Sequence, residues 1–341
     1  MAHTFRVALA TGGPFRLLLY SCIDEGDEFL KRSPETNGLA SVQVDDKIQA
    51  AEETIRRKLN GRYRGLLEST ESPGEPGVKR VDFLHRTVRD FLVTKKMQDL
   101  LASYSAQNFN AYLCICEAFI RQGENFPGSL SSRQWNNFMK YALAAEDELG
   151  TPSTPLLHRM NDICHLCSPT DKDSLEPVDS KDRSFLLRTI EFGFVPYVKD
   201  RLQRQPDLFL GHGIEILWTL IEITFITRRP KDQEPRFEMA QLLLENGVDP
   251  NGVVNGKPML HNLLDLAFME GESLALMSGY YFRILILLLK HGAIFRPDLV
   301  DEDCGVGGLI TRMHSTRQHL GFAQEIFRLL LDRGLDPNLM A

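Results

Sequence analysis

Leu242-Leu-Leu-Glu-Asn-Gly-Val-Asp-Pro-Asn251 decides the fold of the second half of the chain, because the phrase recurs as Leu329-Leu-Leu-Asp-Arg-Gly-Leu-Asp-Pro-Asn338. A weaker copy is Leu287-Leu-Leu-Lys-His-Gly-Ala293, and a fourth, degraded copy is Asp200-Arg-Leu-Gln-Arg-Gln-Pro-Asp207. The aligned positions are Gln205, Gly247, Gly292 and Gly334, which follow one another at intervals of 42, 45 and 42 residues.

The glycine in these copies indicates how each unit ends. It closes an apolar helix where the backbone must become left-handed, a conformation that glycine adopts at little cost. Since one pair of helices cannot bury both of its faces, we expect successive units to stack. The repeats therefore predict an α-solenoid over residues 184–341.

A β-hairpin is predicted in the first hundred residues. Two short apolar runs, Gly65–Thr70 and Val78–Leu84, flank the turn-forming segment Ser72-Pro-Gly-Glu-Pro-Gly77. Before them, Gly12-Gly13-Pro14 separates two short helices. The order helix, helix, hairpin, helix is typical of a winged-helix module.

Amphipathic helices are predicted on both sides of this hairpin. The first begins near Asp45 and ends at Asn60-Gly61, with an apolar stripe formed by Ile48, Ala51, Ile55 and Leu59. The second opens with the capping-box-like phrase Thr87-x-x-Asp90. Its inward-facing residues are predicted to be Val88, Phe91 and Leu92.

We predict a mainly α chain of several domains, since 341 residues exceed the size of one core. Residues 1–105 form the winged-helix-like module, and 106–167 form a helical region. Residues 168–183, rich in Asp, Ser, Lys and Pro, form a linker. Residues 184–341 form the repeats.

Charge and cysteine content limit the partners and the compartment. The net charge of −7 argues against binding of the whole molecule to nucleic acid or anionic membranes. Six irregularly spaced cysteines, no signal peptide and no membrane-spanning stretch indicate a cytoplasmic protein without a membrane partner. The exception to the acidic balance is Ile55–Lys96, where eleven Lys and Arg face five acids. This basic region is either a nucleic-acid contact, a solvated surface or a docking surface.

No motif for catalysis or cofactor binding is found, so we predict no enzyme activity, no cofactor and no metal. The phosphate-binding pattern Gly-x-x-x-x-Gly-Lys-(Ser/Thr) is absent, and its nearest approach, Gly252–Pro258, is interpreted as a turn between repeats. Cys164-His-Leu-Cys167, with His158 nearby, supplies at most half of a zinc site. Buried structural thiols are the favoured interpretation of these cysteines.

The repeats resemble ankyrin repeats. The phrase Leu-Leu-x-x-Gly-x-Asp-x-Asn ends the second helix of that family's unit, and Gly256-Lys-Pro-Met-Leu-His-Asn262 is similar to its Gly-x-Thr-Pro-Leu-His opening. The interval between units is longer than that family's usual one. The resemblance implies a protein partner bound through the repeat region.

The N-terminal module resembles the region that follows the NACHT nucleotide-binding domain in fungal STAND-type signalling proteins. The resemblance rests on Arg56–Glu68 and on Val81-Asp-Phe-Leu-His-Arg-Thr-Val-Arg-Asp-Phe-Leu92. In such proteins a winged-helix histidine contacts the β-phosphate of ADP, and the matching residue is His85. Since no phosphate-binding loop is present, a structural role or a vestigial phosphate contact is expected for His85.

These observations predict a non-catalytic regulatory segment that binds proteins. The NACHT domain is then separate or lost, and we expect the chain to be a fragment or truncated product of a longer switch. The alternative is a nucleic-acid-binding regulator that uses the basic winged-helix face Arg56–Lys96.

Overall fold

The computed structural model describes residues 1–24, 41–72, 75, 77–166, 178–227, 233–269, 279–296 and 320–333. These residues are mainly helical, with short antiparallel β-elements, which confirms the predicted mainly α class. The contacts divide the chain into two units, residues 1–185 and 186–341.

The first unit contains two helices around a short strand, a long helix, a hairpin and five further helices. These are α1 (Ala2–Ala10), β1 (Phe15–Arg16), α2 (Leu17–Asp24), α3 (Ser41–Tyr63), β2 (Leu67–Glu71), β3 (Lys79–Phe83), α4 (Arg86–Leu92), α5 (Lys95–Ser103), α6 (Ala111–Asn125), α7 (Ser132–Leu149) and α8 (Thr154–Leu166).

The second unit is built from helices and one small hairpin. These are α9 (Val178–Phe192), α10 (Val195–Arg204), α11 (Pro206–Thr227), α12 (Gln233–Glu245), β4 (Val253–Val254), β5 (Lys257–Pro258), α13 (Met259–Met269), α14 (Gly279–Lys290) and α15 (Leu320–Asp332). The first residues of α9 belong to the first unit, and α9 begins within the segment predicted as a linker.

The predicted hairpin is present as β2 and β3, and it forms part of a three-stranded antiparallel sheet in the order β1-β3-β2. Val81 in the central strand pairs with Ser69 on one side and Phe15 on the other, and it is buried. Strand β1 was not predicted, because a two-residue strand is too short to show alternation. In the described residues, a helix, a strand, two helices and a hairpin follow one another, with the first strand beside the last, which is the connectivity expected of the predicted winged-helix-like module.

Helix α3 continues to Tyr63 instead of ending at the predicted Asn60-Gly61. Tyr63 extends the buried stripe of Ile55 and Leu59 by one turn, and its hydroxyl donates to Thr4 Oγ1 at 2.7 Å. The packing of this last turn outweighs the weak helix propensity of Gly61. Two residues in the left-handed region, Arg64 and Gly65, follow the helix.

Helix α4 begins earlier than predicted, since its N-cap is His85 and not Thr87. Leu92 is buried as expected and Val88 is half-buried, but the predicted inward position of Phe91 is wrong, since 58% of this residue is exposed. In a helix of seven residues, the spacing of Val88, Phe91 and Leu92 does not determine which of these side chains faces the core.

Aromatic rings fill the core of the first unit around α6, which packs against α1, α2, α7 and α8. Phe119 of α6 meets Phe15, Phe138 and Tyr141 with ring centroids 5.9 to 6.3 Å apart. Tyr20 meets Phe15 from α2 at 5.9 Å. The first helices, the sheet and the middle helices therefore share one core.

Four helices of the second unit form a row in which α10 packs against α12, α12 against α14, and α14 against α15. We call this the helix row. Helices α11 and α13 pack against α12 and α14, respectively. An exposed ion pair bridges each neighbouring pair in the row: Lys199–Glu238, Glu234–Arg283 and Lys290–Glu325.

Helices α9, α12 and α14 end in the same way, at Gly193, Gly247 and Gly292, whose φ angles are 84°, 92° and 101°. After each glycine, the next N–H donates to the carbonyl five residues earlier, from Phe194 to Thr189, from Val248 to Leu243 and from Ala293 to Leu288. The predicted left-handed glycine is therefore confirmed at Gly247 and Gly292, while Gly334 lies outside the described residues.

Gln205 follows α10, the helix that packs beside α12 in the helix row, but it does not make this left-handed ending. Gln205 has an extended φ of −140°, whereas Gly193 makes the shared ending. Thr189 lies four residues before Gly193, where α12 and α14 have Leu243 and Leu288 before their glycines. This difference makes the shared ending hard to see in the sequence. Thr189 is fully buried, and its hydroxyl is satisfied by the Leu186 carbonyl at 2.7 Å.

Two side chains of the second unit connect the segment after α12 to the loop after α14. Asn251 donates from Nδ2 to the Gly292 carbonyl at 3.0 Å and accepts from the Ile294 N–H at 2.8 Å. The buried His261 ring contacts the main chain of Arg296 through Nε2. Asn251 and His261 therefore hold the segment after α12 against the loop after α14.

The segment Gly252–Pro258, the nearest approach to a phosphate-binding loop, contains a tight hairpin of β4 and β5. Its turn residues, Asn255 and Gly256, both have positive φ, as a two-residue hairpin turn requires. The interpretation of Gly252–Pro258 as a turn is confirmed.

Candidate functional site

His85 lies between β3 and α4, and its ring is exposed. Nδ1 accepts a hydrogen bond from the Thr87 backbone N–H at 3.2 Å, so this ring nitrogen performs the capping role usually taken by Asn or Asp. A backbone N–H can only donate, so the proton of the neutral ring is on Nε2. No acceptor in the described part of the chain contacts Nε2. His85 thus has a structural role and one N–H donor available to a ligand.

Nine of the eleven cations of the basic region fall into two groups. Several are paired with carboxylates: Arg56 and Arg57 with Glu53, Lys79 with Glu52, Arg80 with Glu75, and Arg86 with Asp90. Four others form no ion pair with any residue that the structure describes: Arg64, Arg89, Lys95 and Lys96. These four lie after α3, on α4 and at the start of α5.

Large apolar side chains are exposed among these unpaired cations. Leu84, Phe91 and Val93 are 54%, 58% and 55% exposed, respectively. Leu66 is also exposed, and its carbonyl accepts the Leu84 N–H at 3.2 Å, which brings it beside Leu84. Helix α4 packs against both β3 and α5, so these residues belong to neighbouring elements.

We call this set the α4 surface: Leu66, Leu84, Phe91, Val93, Arg64, Arg89, Lys95 and Lys96. An apolar patch bordered by charged groups is typical of a protein interaction site. The sequence pointed to the cations but assigned Phe91 to the core. Apolar spacing does not distinguish a residue packed against its own chain from one exposed for a partner.

Two cysteines outside the Cys164-His-Leu-Cys167 phrase, Cys114 and Cys116, lie on α6. Cys114 is largely buried, which raises the pKa of its thiol to about 11, and Cys116 is fully buried. Cys167, the second member of the Cys-x-x-Cys phrase, lies outside the described part. Among the residues placed by the structure, no group of three or more His, Cys, Asp or Glu side chains could hold a metal ion.

None of the described helices is both long and apolar enough to cross a bilayer.

Residues 1–134 match a protein family described as a domain of unknown function (DUF7791). The match contains the whole winged-helix connectivity, His85 and the α4 surface, and it extends into α7. No curated protein and no solved structure matches the chain. The first unit therefore contains the part of the chain for which a family can be cited.

Proposed function

We propose that this chain is a non-catalytic regulatory segment that acts by binding proteins. The α4 surface contacts one partner, and the helix row contacts another. The observation that carries the proposal is the exposure of Leu84, Phe91 and Val93 beside unpaired cations. Burial of the exposed part of such apolar side chains in an interface favours association.

The partner of the α4 surface has an acidic border around an apolar centre. Arg64, Arg89, Lys95 and Lys96 supply the complementary charge, which speeds association and disfavours basic partners. The resemblance to fungal STAND proteins suggests a NACHT nucleotide-binding domain as this partner. His85, next to Leu84, would then offer its Nε2 donor to a nucleotide phosphate at the edge of the complex.

A binding experiment tests the proposal. The probe is a NACHT domain from a fungal protein in which this domain directly precedes a segment of the family matched by residues 1–134. Calorimetry with the full chain should give saturable binding. The double variant Leu84→Ser, Phe91→Ser should bind about tenfold more weakly or worse, because buried interface anchors dominate binding energy.

The matched control is Leu149→Ser, since Leu149 is 43% exposed but lies on α7. This variant should bind like the unmodified chain. If the unmodified chain does not bind the probe, or if both variants lose affinity equally, the α4 surface is not the docking site.

The second partner is assigned to the helix row because of its similarity to ankyrin repeats. Asn251 and His261 connect the segment after α12 to the loop after α14, and such neighbouring loops suit recognition of a protein surface. The alternative function, nucleic-acid binding through Arg56–Lys96, is favoured by the four unpaired cations.

A further inference from the structure

A cavity of about 420 Å³ lies in the first unit, away from the α4 surface. Its wall is formed by β1, α2, α3, the end of the β2–β3 loop and the segment between α6 and α7. Its lining includes the cations Arg16 and Lys79, the acids Asp45 and Glu52, and the apolar residues Leu18, Ile48 and Val78. Its volume is within the range of cavities that bind small molecules.

Arg16 is held in a fixed position at this cavity. Its backbone pairs with Arg80 in the sheet, and its Nη1 donates to Gln134 Oε1 at 2.7 Å. Gln134 is fixed in turn, because its Nε2 donates to Gln122 Oε1 at 3.1 Å and its Oε1 accepts the Ser131 N–H at 3.0 Å. A guanidinium has five N–H donors, so most of those on Arg16 remain for a ligand.

The charge of Arg16 is not balanced by a direct ion pair with any described residue. The other inner cation, Lys79, lies 3.7 Å from the Glu52 carboxylate, so these two charges compensate each other. Burial lowers the pKa of Arg16 and raises that of Glu52, which places both groups in a poorly hydrated environment. An anion bound beside Arg16 would replace the hydrogen bonds to water that the guanidinium loses on burial.

We propose that this cavity binds a small organic carboxylate, with the carboxylate on Arg16 and an apolar tail against Leu18, Ile48 and Val78. A planar guanidinium matches a carboxylate with two parallel hydrogen bonds. Asp45 and Glu52 select against ligands of high negative charge, because the two carboxylates would repel a polyphosphate. The proposed site does not depend on the proposed function.

Ligand-observed NMR with isovalerate tests this site, with isovaleramide, inorganic phosphate and ADP as comparison probes. For so small a ligand we expect a dissociation constant on the order of 1 mM. Isovalerate should saturate, whereas the neutral amide should not bind. Arg16→Gln should weaken isovalerate binding about tenfold or more, because it removes charged hydrogen bonds.

Two further variants keep the result interpretable. Arg86→Gln makes the same charge change on an arginine side chain that is 88% exposed, and it should leave binding unchanged. Glu52→Gln should give tighter binding, since it removes the nearby negative charge. This gain cannot result from misfolding. The proposal is overturned by three outcomes: no saturable isovalerate binding, equal binding by Arg16→Gln, or stronger binding of phosphate or ADP than of isovalerate.

Discussion

His3 connects helix α1 to the chain that follows α5 through a hydrogen bond sensitive to pH. Its Nε2 accepts the Ala106 N–H at 3.2 Å, and its ring stacks on Phe109 with centroids 4.1 Å apart. Burial, the N-terminal amino group and Arg6 lower the pKa of His3 below its usual 6.5. The unprotonated ring is therefore the form that the folded state favours.

A protonation-dependent loss of stability follows from this contact. Since the pKa is lower in the folded chain, the unfolded chain takes up the proton first as the pH falls. The contribution of His3 is complete above pH 6.5 and decreases as the pH falls through the folded pKa. Melting temperatures at about pH 8 and about pH 5 should differ more for the unmodified chain than for His3→Phe, which retains a stacking ring without a titrating group. Equal differences would show that His3 is not responsible.

At the scale of elements, Asn251 connects the segment after α12 to the loop after α14. Asn251→Ala removes the two side-chain hydrogen bonds to Gly292 and Ile294. We expect the free energy of unfolding to fall by roughly 1–2 kcal/mol, the usual net value of two such bonds. Urea unfolding can be followed through Trp218 fluorescence in a Trp135→Phe background, so that the signal comes from the second unit.

A nearby asparagine provides the control for this prediction. Asn246 makes a single exposed side-chain hydrogen bond, from Nδ2 to the Leu242 carbonyl. Asn246→Ala should therefore change the unfolding free energy by about 0.5 kcal/mol or less. Equal losses in the two variants would mean that the connection between loops contributes no more than a local contact.

Some elements could be predicted from the sequence, and others could not, for physical reasons. The hairpin and the glycine endings at Gly247 and Gly292 follow from local backbone chemistry, which the residue types reveal. Strand β1 and the last turn of α3 depend on distant partners, Val81 for Phe15 and Thr4 for Tyr63. The residues next to Phe15 and Tyr63 in the sequence give no indication of these contacts.

The candidate sites show the same division. His85 could be selected from its motif, but its capping bond to Thr87 required the structure. Arg16 gave no signal, because a lone arginine beside Leu17 does not show which groups will surround it. The cavity arises only when the sheet, α3 and the segment before α7 come together.

At the scale of the whole molecule, the charges are distributed unevenly. Residues Ile55–Lys96 carry more Lys and Arg than acids, although the chain as a whole has a net charge of −7. A protein partner can use this contrast, because its own acidic surface meets the basic region while apolar groups fill the centre of the interface. A nucleic acid requires cations along its phosphates and is repelled by the acidic remainder.

We therefore expect weak binding to duplex DNA, with a dissociation constant of about 1 μM or weaker at physiological salt, as for nonspecific contacts. A gel-shift titration of a random-sequence duplex at several salt concentrations measures this affinity. The variant with Arg64, Arg89, Lys95 and Lys96 all changed to Gln should remove the residual shift. The double variant Leu84→Ser, Phe91→Ser should leave the shift intact, because phosphates do not require the apolar groups.

Tight binding with a steep salt dependence, unaffected by the Leu84 and Phe91 changes, would instead establish nucleic acid as the partner of the basic region. Loss of binding to the NACHT probe in the Leu84 and Phe91 variant, together with weak DNA binding in all forms, would assign the α4 surface to a protein.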